Sequence, residues 1–460
     1  MVHSIPVAKP PERLTKAYRN LSSFMNSNDN NPADASALPG PPRISDGDAG
    51  ASAAKPDLQN DLAGKWRALA LLAVAEVLAL ALWYSATAVI PALRSEFSLG
   101  DRHASLFSSI VSIGFVVGTL LSAGLQLADR LAAKSLFSYG ALFASLMNLV
   151  IVVDPTGGWA LFARFATGLA MAFVYPIGMK MAASWARGDT GLLVGLLVGA
   201  LTLGSASPHL FNAWGGLDWG GTVIASSVCA AVAGILVRFV RLGPAHSAPR
   251  RFDPRVALQA LRDPPLRLAN LGYFGHMWEL YAMWAWIGIY LLASFEAAQL
   301  ENAGRWAALG TFFTIAVGAI GSLFAGVVAD RLGRTLVTTA ALAVSGACCL
   351  LSGLVFGASP AWVIAVALVW GVSVVADSAQ FSSSVIELSP PERIGTMLTV
   401  QTCIGFLIPL FSIHWVPIWV DTWGWRFGFA PLVLGPMVGV WAMLALRRRP
   451  EALRLASGRR

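Results

Sequence analysis

The chain has 460 residues, 56% of them hydrophobic and 13% charged, with a formal net charge of +8 at pH 7. Soluble domains carry about 25% charged residues, so this composition excludes an ordinary soluble protein, and the mean hydropathy of +0.63 agrees. The positive charge is not a nucleic-acid signature, because it sits in short loops between apolar runs and at the C-terminus.

In chain order, residues 1–62 read as a disordered cytoplasmic tail. Residues 26–54 are rich in Asn, Asp, Pro, Gly, Ser and Ala, and the first 25 residues lack the apolar run of a signal peptide. A membrane span needs about 20 mostly apolar residues. Six such runs follow, at 68–93, 104–127, 135–153, 159–185, 190–213 and 222–240, forming an N-terminal bundle over 63–242. A Pro- and Arg-rich cytoplasmic loop, 243–266, comes next, and its residues 254–261 suit a short amphipathic helix on the membrane surface. Six more runs, at 268–295, 306–329, 336–356, 361–388, 395–420 and 425–446, form a C-terminal bundle over 267–449, and 450–460 reads as a basic cytoplasmic tail.

Loop charge sets the orientation. Lys65, Arg67, Arg130, Lys134, Arg187, the arginines of 238–267, Arg331, Arg334, Arg393 and Arg447 to Arg449 fall on one side. Arg94, Arg102, Arg305 and Arg426 fall on the other. The positive-inside rule then places both termini in the cytoplasm of a bacterial-type inner membrane. Cys229, Cys348, Cys349 and Cys403 lie inside apolar runs without metal-ligand spacing and read as small hydrophobes, so no metal is expected.

The two halves echo one another. Ala128-Asp129-Arg130-Leu131 follows the second span, and Ala329-Asp330-Arg331-Leu332 follows the eighth, with Gly333 and Arg334 behind it. A weaker echo links 187–195 with 393–401. In a tight turn the Asp can accept from N–H groups opening the next helix, and the Arg can serve a carboxylate or orphan carbonyls.

The stretch from Gly326 through Asp330, Arg331 and Gly333 to Arg334 resembles the signature loop of the major facilitator superfamily. Arg164 with Gly168 is similar to that family's fourth-helix motif, and Pro391-Glu392-Arg393 also resembles the family. The first-half loop departs from the signature at Leu125, Ala132 and Ala133. The resemblance implies an all-α fold of twelve transmembrane helices in two six-helix bundles, working by alternating access. It also implies a gating role for Asp129, Arg130, Gly326, Asp330, Arg331, Gly333 and Arg334. The segment 199–209, GALTLGSASPH, is not the Gly-Pro-rich pattern of the family's drug/proton antiporters.

Ionisable groups at bilayer depth are functional candidates: here Glu76, Arg164, Lys180, His209, His276, Glu279, Asp377 and His414. In the family the first, fourth, seventh and tenth helices line the cavity, which favours Glu76, Arg164, His276, Glu279 and Asp377. Glu279 is expected to be the proton-coupling acid, with His276 three residues before it on the same helical face as its modulator. Asp377 and Glu76 are further proton-coupling candidates. Tyr84, Arg164, Tyr281, Asp377 and Gln380 are expected to bind the solute. Lys180 and His414 read as interfacial anchors, and His209 as a partner for carbonyls freed by Pro208.

The expected function is proton-coupled uptake of a small organic anion or metabolite by a secondary transporter. Proton-driven export of a small organic compound or drug is the alternative, and a non-transporting sensor or assembly partner is the alternative of another class. No phosphate loop, nucleophile elbow or metal cluster appears, so neither an enzyme nor a cofactor is expected. The expected partners are the solute, protons and lipid, with no nucleic acid, and a monomer suffices.

Overall fold

Apolar runs in lipid must satisfy their backbone groups internally, which drives each into a helix. The computed structural model describes residues 58–186, 190–214, 219–244 and 253–459. Residues 1–57, Arg187, Arg250, Arg251 and the side chain of Asp129 lie outside the described residues.

Among the described residues, twelve helices are long and apolar enough to cross a membrane. They are α1 (Gly64–Phe97), α2 (Asp101–Leu125), α3 (Ala133–Val153), α4 (Gly158–Ala183), α5 (Gly191–Ala213) and α6 (Trp219–Phe239). After the connecting loop come α7 (Pro264–Ala297), α8 (Ala303–Leu332), α9 (Arg334–Val355), α10 (Pro360–Leu388), α11 (Pro391–Trp423) and α12 (Trp425–Arg447). Helix continues upstream of α1 to Leu58, inside the stretch that reads as tail. The helix expected over 254–261 is two short turns, Pro254–Ala257 and Gln259–Arg262.

The even number of crossings returns the chain to the face it started from, called the terminal face below; the opposite one is the far face. α2 packs on α4 and α3 on α6 in the first half, and α8 on α10 and α7 on α12 in the second. The halves meet along two seams, α2 against α11 and α5 against α8.

Glycine sets the tightest crossing in each half. A Cβ on Gly168 of α4 would stand 1.9 Å from the Val111 carbonyl oxygen of α2, and one on Gly371 of α10 would stand 1.8 Å from the Thr314 carbonyl oxygen of α8. Backbone cannot retreat from such contacts, so only glycine fits, as is usual where membrane helices approach closely.

Three of the four helices expected to line the cavity are interrupted. α1 breaks between Leu80 and Ser85, α4 between Met171 and Tyr175, and α10 at Asp377, whereas α7 is continuous. The α4 break has a local cause: Pro176 has no N–H for the Ala172 carbonyl and its ring crowds that turn.

The C-terminal stretch is packed rather than free. Turns over Pro450–Gly458 bury Ala452, Leu455 and Ala456. The Ala456 N–H donates to Glu387 Oε2 at 3.0 Å, and Arg459 Nη1 donates to the Asp330 carbonyl at 2.6 Å.

Candidate functional site

The α1 break carries Trp83 and Tyr84, and it is held from α4. Arg164 is fully buried, with 0% exposure. Its Nη1 donates to the Leu82 carbonyl at 2.9 Å, Nη2 to Trp83 at 2.6 Å and Nε to Phe107 at 3.4 Å. A guanidinium fork suits two adjacent freed carbonyls. Beyond the break, Ser85 Oγ donates to Asn148 Oδ1 at 2.7 Å, and Asn148 Nδ2 donates to Ser227 Oγ at 2.9 Å, so α3 and α6 brace the same joint. Arg164 therefore neither snorkels to the surface nor turns a free charge toward a solute.

Aromatic rings fill the space between the halves about midway along α1, α7 and α11. Trp83 meets Tyr281 of α7 at 6.1 Å and Phe406 of α11 at 5.5 Å between ring centroids. Tyr84 stacks on Tyr281 at 6.4 Å and meets Trp284 edge-on at 5.7 Å. Phe115 of α2 lies 4.6 Å from Phe406. Above this plug Arg94 of α1 pairs with Asp101 and lies 5.9 Å from the Trp286 ring of α7, a cation–π contact across the halves. On the terminal side a recess of about 180 Å³ opens between the halves. Thr119, Ser122 and Gln126 of α2, Pro176 of α4, and Gly395 and Thr399 of α11 line it.

Two buried polar side chains lie between recess and plug with no hydrogen-bond partner among the described residues. Both carboxyl oxygens of Glu76 and both polar atoms of Gln401 are unpartnered. Glu76 has 0% exposure. It fits only because residue 178 is glycine, since a Cβ there would stand 1.6 Å from Glu76 Oε1. Tyr175 is followed by Pro176, which lines the recess.

His276 finds its partners on α10. Its Nδ1 lies 2.8 Å from Asp377 Oδ1, and its Nε2 is 2.8 Å from Ser378 Oγ. Both side chains of the pair are 1% exposed. Asp377 is the residue at which α10 breaks, so the pair bridges α7 to that joint. Among the described residues no hydrogen bond joins His276 to Glu279, the acid it is expected to modulate.

Glu279 points into the interior of the second bundle. It accepts from Trp370 Nε1 at 2.6 Å, Ser345 Oγ at 2.9 Å and Cys349 Sγ at 3.2 Å. Glu279→Gln would set an NH₂ against one of these donors, and an unsatisfied buried group costs about 1–3 kcal/mol. A lower unfolding temperature is the expected outcome; unchanged stability would show that the donors rearrange freely.

Gln380 faces the signature loop. Its Oε1 accepts from Arg334 Nη1 at 2.7 Å, while Arg334 also holds Glu387 through two bonds, of 2.9 Å and 2.6 Å. Gly333 adopts φ +98°, which favours glycine, between α8 and α9. A Cβ on Gly191 would stand 3.3 Å from Asp330 Oδ2 and one on Gly326 would stand 3.7 Å from the Gly191 carbonyl oxygen, so the loop meets the first turn of α5 across the halves. An anion is stabilised there by the helix dipole. Arg130 and Arg331 are exposed.

Of the remaining candidates, Lys180 donates to the Ala128 carbonyl at 2.6 Å, and His414 Nδ1 lies 2.7 Å from the Leu410 carbonyl one turn back. His209 Nε2 has no partner, so it does not serve carbonyls freed by Pro208 through that atom. Sequence reasoning passed over Gln401, Tyr175, Phe115, Phe406 and Glu387. A lone amide within the apolar run of α11 was the available signal for Gln401.

The family model described as Major Facilitator Superfamily matches residues 72–413. Among solved structures, the fold is similar to that of a bacterial homologue of the human lysosomal transporter Spinster, crystallised inward-facing and unoccupied. The TM-score is 0.63 at 13% identity, covering 84% of this chain and 97% of that one, so the likeness is one of fold. No curated protein matches.

Proposed function

The chain belongs to the major facilitator superfamily and is a multi-pass membrane transporter; from that premise we propose that it is a proton-coupled secondary transporter working by alternating access. The His276–Asp377 pair is the principal proton site, and Glu76 is a second carboxylate on the path. The observation that carries the reading is the placement of a buried His–Asp pair on the joint of α10. Proton loading there changes charge at a hinge, so it biases the angle between the two parts of α10 and, through α7, the packing of the aromatic plug.

The closed far side and the recess on the terminal side support a solute path that runs along the line between the halves. The small residues of the α5–α8 seam, where Gly199 faces Ala319 and Gly195 faces Ser322 and Leu323, let the halves rock with little interdigitation to undo. The motif at 199–209 favours uptake as the direction. Loop charge favours a cytoplasmic terminal face in an inner membrane, and the path needs one chain only. Arg164, the ground for expecting an anion, has its donors committed to carbonyls, so an anionic solute loses its main support. Glu279 suits a fixed acceptor inside the second bundle better than a proton carrier facing the solute.

The test is accumulation in proteoliposomes under an imposed pH difference. Uphill solute movement that a protonophore abolishes is the expected result. Downhill movement alone, indifferent to the pH difference, would overturn the coupling.

A further inference from the structure

We infer that the solute is an organic cation, a substituted ammonium on an aromatic or apolar body, bound between Glu76 and the rings of Trp83, Tyr84 and Tyr281. The inference rests on the transport reading above and adds the chemical class of what is carried.

The first ground is the unpaired carboxylate. Glu76 is sealed from solvent with both oxygens unpartnered, and no basic side chain faces it among the described residues. Arg164 serves backbone carbonyls, and Lys180 serves Ala128. A buried carboxylate without a partner is expensive, so Glu76 is an incomplete half of an ion pair. A ligand ammonium completes it. A proton and a ligand ammonium are alternative ways of completing it, and an anionic ligand would meet charge of its own sign once the proton is off.

The second ground is the ring set. Trp83 lies seven residues beyond Glu76 on α1, within the break between Leu80 and Ser85 that exposes its ring toward α7 and α11. Tyr84, Tyr281 and Trp284 continue the aromatic wall across to α7. Ring faces attract quaternary and substituted ammonium groups. No described hydrogen bond engages the hydroxyls of Tyr84, Tyr175, Tyr273 or Tyr281, which leaves their oxygens to turn toward a ligand cation.

The third ground is access. Pro176, which lines the terminal-side recess, is two residues from Gly178, the residue under the Glu76 carboxylate. Thr399, also on the recess, is two residues from the unpartnered Gln401. None of the described residues that line the recess is charged, and Lys180 reaches its edge at the Ala128 carbonyl.

The experiment uses the full purified chain and matched triplets built on phenyl and indole bodies, bearing a trimethylammonium, a hydroxymethyl or a carboxylate head. Binding is read by thermal shift, and flux by uptake into proteoliposomes. The ammonium members are expected to bind at least about tenfold more tightly than their partners, with the difference lost in Glu76→Gln. If Glu76→Gln fails to fold, Trp83→Leu carries the same test: removing a ring face is expected to weaken the ammonium members about tenfold and leave the carboxylates unchanged. Uptake confined to the neutral or carboxylate members would overturn the cation class while leaving transport intact. Ammonium binding that survives in both variants would overturn the site. Silence of all three classes in both readouts would overturn this inference, while the transport reading stands or falls on the pH-driven accumulation assay.

Discussion

Arg164→Ala is expected to destabilise the protein by about 3–5 kcal/mol, the range for removing one partner of a buried charged interaction. Domains are commonly stable by only about 5–15 kcal/mol, so most of the folded yield should be lost. The cause is the α1 joint. Without the guanidinium, the carbonyls of Leu82 and Trp83 lose their donors in a region without water. The joint would then tend to close into regular helix or collapse, and either change moves Trp83 and Tyr84 away from Tyr281. Arg164→Lys should fall between, because one ammonium cannot span two carbonyls as a planar fork does. Thermal unfolding followed by size-exclusion chromatography in detergent measures this. Wild-type stability for Arg164→Ala would show that the α1 break needs no support from α4, and would return Arg164 to the pool of solute-binding groups.

Asp377→Asn is expected to uncouple transport without preventing it. One proton per solute across one pH unit supplies about 1.4 kcal/mol, enough for roughly tenfold accumulation, and the variant should reach a ratio near one. Exchange of labelled for unlabelled solute across the same membrane should persist, because exchange requires no net proton movement. The split separates a coupling role from a merely structural one, which would depress both measurements together. His276→Gln should behave in the same direction, since it also removes the imidazole–carboxyl contact across α7 and α10. Retained tenfold accumulation in Asp377→Asn would move the coupling site elsewhere, with Glu76 the next residue to change.

The twelve spans were legible because lipid imposes a length and a composition on each. The signature loop was legible because its Asp, Gly and Arg occupy fixed places in a tight turn, and Gly333 does adopt the positive φ that the turn requires. The α4 break could be read from Pro176. The α1 break could not, because its stabilising group comes from residue 164, more than 80 residues along the chain. The same limit explains the candidate site. Spacing of three along one helix suggested that His276 and Glu279 act together, yet each is claimed from across the bundle, by Asp377 and Ser378 in one case and by Trp370, Ser345 and Cys349 in the other. Gln380 looked like a solute ligand on its helical flank, but Arg334 reaches it from the next turn of the fold. Periodicity along one helix shows which face a residue shares; it does not show which neighbouring helix comes to that face.

The most direct test of alternating access is a pair of spin-label distances in the full chain reconstituted in liposomes, with the native cysteines replaced by Ser or Ala. One pair spans the far face, at the exposed positions Ser95 and Glu296, and the other spans the terminal face, at the exposed positions Leu131 and Leu332. The expected result is reciprocal change between acidic and neutral pH. Populations with a longer far-face distance should show a shorter terminal-face distance, and Asp377→Asn should remove the pH dependence. Distances that stay single and constant on both faces, across pH and in the presence of the ammonium compounds, would contradict a rocking transporter and favour a fixed membrane sensor.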